Sequence, residues 1–75
     1  MAFRDDRVAA VSAHNARNAA LNASGAATRA VIHASCAHTH IGYENPTAAL
    51  ASLTSAHVAA LELIEAIAKA KEELK

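Results

Sequence analysis

Ala9, Ala13, Ala16, Ala20, Ala23, Ala27, Ala30, Ala34 and Ala37 alternate steps of four and three residues, and Ile41 continues the series. A seven-residue repeat sustained in this way is the pattern of a helix packed along a seam. Alanine has the best intrinsic helix propensity, so the segment is helical before any packing is considered. With Ala at both seam positions a partner helix can approach more closely than it could over Leu. Asp5 and Asp6 suit the positive end of the helix macrodipole. Ser24-Gly25 is the one place where the helix could break, because Gly in a helix costs about 1 kcal/mol relative to Ala. Asn22 followed by Gly25 also reads as a stop signal. The alanine register passes through the pair without a change of phase, so the spacing predicts one continuous helix over about residues 3–40.

Gly42-Tyr43-Glu44-Asn45-Pro46 marks the boundary. Gly42 is placed as a C-terminal stop, Asn45 as an N-cap and Pro46 in the first turn of a second helix running to about residue 74. The apolar stripe of this second helix is Leu50, Leu53, Ala60, Leu61, Ile64, Ile67 and Ala68, spaced near 3.6 residues. That stripe needs a partner surface. The expected fold is therefore all-α: an antiparallel two-helix hairpin, about 3–40 and 46–74 with a loop at 41–45, forming one domain over residues 1–75.

The same residues argue that a single hairpin is not enough. Alanine supplies 22 of the 75 residues, and before Pro46 the larger apolar side chains are few. Chains this short rarely stabilise themselves on one core without disulfides, metal or oligomerisation, and one Cys leaves no internal disulfide. At 1.5 Å per residue the first helix exceeds the second by about 15 Å, leaving roughly ten N-terminal residues, including Phe3, Val8 and Val11, beyond the hairpin. Self-association is the economical answer, as a homo-oligomeric bundle or ring with the alanine line as its seam.

Charge is sparse where it would be expected. Seven basic and seven acidic residues cancel, so there is no basic footprint for nucleic acid. Between Val8 and Leu61 only Arg17, Arg29 and Glu44 are charged. Asn, Ser, Thr and His cover the middle instead. Asn15, Asn22, Arg29 and Cys36 repeat at seven-residue steps, with His33 beside them, as a polar stripe along the alanine seam. Near the axis of a cyclic oligomer each residue meets copies of itself. An uncharged polar stripe suits that position, as the lining of a polar lumen along Asn15, Asn22, Arg29 and His33. No apolar run approaches the roughly 20 residues of a bilayer span and no signal-peptide core is present, so a cytoplasmic or soluble recombinant protein without a membrane span is expected.

In plan, a small-residue helix, a polar loop with Pro46 and a second helix carrying carboxylates resemble the hairpin of rotary-ATPase ring subunits. The glycine-repeat motif of that family is missing and both helices read as too polar for lipid, so no residue role is carried over. The ending Leu61-Glu62-Leu63-Ile64-Glu65-Ala66-Ile67-Ala68-Lys69-Ala70-Lys71-Glu72-Glu73-Leu74-Lys75 resembles computationally designed helices. The alanine seam and the Asn45-Pro46-Thr47 loop end are likewise similar to such designs. Cys36, five His and an irregular N-terminus depart from that pattern.

One cluster carries candidate chemistry: His33, Cys36, His38 and His40. On a helix, His33, Cys36 and His40 fall within about 60° of one another, while His38 points elsewhere. His57, about ten residues beyond the turn, is level with residues 30–35 in an antiparallel hairpin. Imidazole and thiolate are the ligands zinc prefers, so His33, Cys36, His40 and His57 form the candidate metal set. The Cys-x-His-x-His spacing matches no closed structural-zinc pattern, and the bland reading is polar packing. His57 also interrupts the apolar stripe, and a lone His there is more often a core residue than a ligand. Cys36 with His40 or His33 could form a thiolate–imidazole pair, but no oxyanion hole accompanies it and Glu62 and Glu65 read as a solvated face, so no enzyme is expected. The leading function is structural self-assembly, with the protein as its own partner and no required cofactor. The alternatives are a metal- or small-ligand-binding bundle and an adaptor presenting Phe3, Val8 and Val11 to a groove.

Overall fold

The computed structural model describes residues 6–75, with the side chain of Asp6 outside the description. Two helices pack antiparallel: α1, Asp6–Gly42, and α2, Pro46–Glu73. The hairpin expected from the sequence is thus the fold. The expected helix start at residue 3, the overhanging Phe3 and the dipole role of Asp5 lie outside the described residues.

α1 runs unbroken through Ser24-Gly25. A Cβ built on Gly25 would meet only the Arg29 guanidinium, at 3.5 Å, so the helix does not depend on glycine there. At the other end the structure corrects the stop signal. Gly42 is the last helical residue and does not take a positive φ; Glu44 does, at 56°. The Glu44 N–H donates to the Ile41 carbonyl (3.0 Å) and the Asn45 N–H to the His40 carbonyl (2.8 Å), which together make the six-residue closure of a Schellman motif with Glu44 in the left-handed position. Asn45 then caps α2, its side-chain oxygen accepting from the Ala48 N–H at 3.2 Å, and Pro46 opens the helix where its missing N–H costs nothing.

A non-glycine residue in the left-handed region costs roughly 1 kcal/mol. Glu44→Gly is therefore expected to stabilise the protein by about 1 kcal/mol, read as a thermal midpoint about 4–8 °C higher for a domain of this size. An unchanged or lower midpoint would show that Glu44 makes a compensating contact.

The Cα envelope measures 63 × 12 × 12 Å. Two helices packed side by side along their length account for so narrow an envelope. Among the described residues the buried ones are all alanine: Ala16, Ala19, Ala23, Ala26 and Ala37 on α1, Ala49 and Ala59 on α2. Ser12, Ala30, His33 and His40 continue the α1 seam half-buried. On α2, Ser52, Ala56, Leu63, Ala66, Ala70 and Glu73 do the same. Both seams step by three and four residues, the spacing of two coiled-coil strips facing each other.

Candidate functional site

The alanine line of α1 is split by this packing. Ala16, Ala23 and Ala37 are buried against α2 and Ala30 is half-buried, as expected of a seam. Its other half is displaced by one residue. Ala19 and Ala26 are buried at 3% and 1% exposure, where the sequence spacing pointed to Ala20 and Ala27. Ala9, Ala13, Ala20 and Ala34 are exposed and Ala27 is half-buried. Adjacent alanines at 19–20 and 26–27 make the two registers equal in composition, so the alanines alone did not separate them.

This rotation sorts the hairpin into two unlike flanks. On one side of the α1 seam stand Asn15, Asn22, Arg29 and Cys36, all exposed. Asn15, Asn22 and Arg29 line shallow grooves with Ser55, Glu62 and Lys69 of α2. Arg29 crosses the flank and donates from Nη2 to Glu62 Oε2 at 2.8 Å, with both side chains about half exposed (54% and 51%). An ion pair so solvated contributes about 0–1 kcal/mol and mainly fixes register. Four polar side chains elsewhere are tied within their own helix. The Thr28, Thr39 and Thr54 hydroxyls donate to the carbonyls of Ser24, Ser35 and Leu50, and Asn18 pairs with His14 at 3.2 Å. Among the described residues no buried side-chain nitrogen or oxygen lacks a partner.

The other flank carries a line of alanines, and the outer side of α2 carries most of its large apolar residues. Ala20, Ala27, Ala34 and Ile41 lie across the α1 seam from the polar stripe, because each is five residues, about 140° around the helix, beyond Asn15, Asn22, Arg29 or Cys36. On α2 the large residues turn away from α1. Leu50 is 67% exposed, Leu53 48%, Leu61 55%, Ile64 63% and Ile67 45%. The stripe legible in the sequence is present, yet its Leu and Ile residues do not face α1; of the large α2 residues only Leu63, outside that stripe, is half-buried in the seam. Val8 and Val11 are also exposed, and burial along α1 begins only at Ser12.

The candidate metal residues are dispersed by the same rotation. His33 and His40 face the seam, half-buried, and His33 borders a groove with Arg29, Ser55, Ala59 and Glu62. Cys36 is exposed with a free thiol on the polar flank, and His38 is exposed. His57 is exposed and follows Ala56 of the α2 seam by one residue, which turns it about 100° away from α1. Being level with His33 does not bring it to His33. Among the described residues no group of three or more His, Cys, Asp or Glu stands close enough to share an ion.

One property of α2 departs from the sequence reading. By length and composition alone it qualifies as a bilayer span, with an 18-residue stretch of mean hydropathy 1.4 of which 11% is buried. The value comes from the exposed Leu and Ile stripe and the many alanines, and it is the same apolar surplus in another measure. Comparison of the chain with protein-family models, curated proteins and solved structures finds no match.

Proposed function

We propose that the protein is a structural, self-assembling module whose hairpins pack into a homo-oligomeric helical bundle. One observation carries this reading: the interior is built from alanine while fourteen large apolar side chains from Val8 to Leu74 are exposed. Soluble monomers rarely leave a contiguous apolar patch of more than a few hundred Å² in water. Each buried alanine methyl contributes about 0.8 kcal/mol, whereas burying a Leu or Ile contributes about 1.5–3 kcal/mol. Most of the chain's hydrophobic free energy is therefore released only when hairpins meet. The Arg29–Glu62 pair and the grooves around Asn15 and Asn22 support the polar flank as the solvated side of the assembly. A lumen along Asn15, Asn22, Arg29 and His33 would instead need those flanks to converge.

The test is native mass spectrometry with and without prior chelation. A discrete multimer free of metal is the expected result. A monomer carrying stoichiometric zinc, unfolding when the zinc is removed, would replace assembly by metal binding.

A further inference from the structure

α2 carries two heptad strips, and the hairpin uses one. The strip facing α1 runs through Ala49, Ala56, Ala59 and Leu63. One residue on, Leu50, Leu53, His57, Ala60, Ile64 and Ile67 step by three and four residues around to the next face. A second strip with coiled-coil spacing is the signature of a second helical partner. We infer that its occupant is the α2 helix of a second copy of this chain, packed antiparallel about a two-fold axis near Val58 and Ala59. The inference rests on the self-assembly reading above and adds the surface, the partner helix and the register.

Two arguments select a second copy. The first is pattern. Reversing the strip about its midpoint sets Leu50 against Ile67, Leu53 against Ile64 and His57 against Ala60, so large residues meet large ones and the one imidazole meets the smallest side chain. Isologous contacts bring each surface against itself, and this strip has no Asp, Glu, Lys or Arg from Leu50 to Ile67 to oppose its own copy. The second is area. The chain exposes 5721 Å². A globular monomer of 7.7 kDa exposes about 4,300 Å², so the surplus is about 1,400 Å². Each partner in a standard interface gives up about 800 Å², which the surplus more than covers.

The pairing is tested by charge at its two reciprocal positions, using sedimentation equilibrium of the full chain. Leu53→Glu with Ile64→Glu places like charges face to face in both halves of the interface, and association is expected to weaken by about a hundredfold or more. Leu53→Lys with Ile64→Glu introduces as many charges but makes every contact attractive, and it is expected to recover mass relative to the first variant. Equal behaviour of the two variants, whether both associate or both fall apart, overturns the antiparallel register. A polar-flank change, Asn22→Glu, is expected to leave mass unaltered; if it alone dissociates the oligomer, assembly stands and this surface is wrong. A wild-type chain that is monomeric in buffer and sediments only with phosphatidylcholine vesicles removes both the surface and the assembly reading.

Discussion

Ala26→Leu is expected to force α1 and α2 apart and remove most of the cooperative thermal transition. Ala26 is 1% exposed in the seam between the helices, so three more carbons there must displace their neighbours. Overpacking a filled core costs about 1–3 kcal/mol and occasionally more, and the cost is greatest where the neighbours are backbone that cannot change rotamer. An alanine seam is that case. About 3 kcal/mol corresponds to a midpoint lowered by roughly 15 °C or more for a chain of this length. Ala19→Leu, at a site 3% exposed, belongs with it. The contrast is Ala20→Leu, one residue away and exposed, which is expected to change hairpin stability by no more than about 0.5 kcal/mol. Thermal melts followed by circular dichroism decide the matter. Equal effects at positions 19 and 20 would show that α1 is rotated differently from the seam described.

The second large effect is concentration dependence. If folding and pairing are one event, the midpoint rises with protein concentration, because mass action favours the associated native state. Unfolding entropy of about 2.1 cal/mol/K per residue, taken over two chains, is about 0.3 kcal/mol/K, and tenfold dilution is worth about 1.4 kcal/mol. Each tenfold dilution is then expected to lower the midpoint by about 4 °C. A midpoint constant from about 100 μM to about 1 μM would mean that the alanine-cored hairpin stands alone. The outward Leu and Ile residues would then require another explanation.

These expectations separate what local chemistry encodes from what it leaves open. Asn45 and Pro46 act as their residue types dictate, because capping and a missing N–H are settled within one helical turn. The continuity of α1 through Gly25 was legible for a similar reason: the unbroken alanine phase outweighs a penalty of about 1 kcal/mol. Gly42 misled because a nearby residue, Glu44, could take the left-handed position once the closing hydrogen bonds from Glu44 and Asn45 rewarded it. The metal candidates show a different limit of sequence spacing. Their sequence spacing gives level along the hairpin, whereas a shared ion needs direction around each helix as well.

Helical periodicity, the two helices and the place of the turn between them follow from the amino-acid sequence by itself, because propensity, capping and heptad phase act between residues a few positions apart. The face that each helix turns to the other was decided only in the tertiary structure. Ala19 and Ala20 are chemically the same, as are Ala26 and Ala27, and the choice between them depends on which face of α2 arrives opposite. α2 arrives with Ala49, Ala56 and Ala59 inward because small side chains let two backbones approach closely. Leu63 apart, its Leu and Ile residues are thereby left exposed, and it is this surface that the proposed assembly would cover.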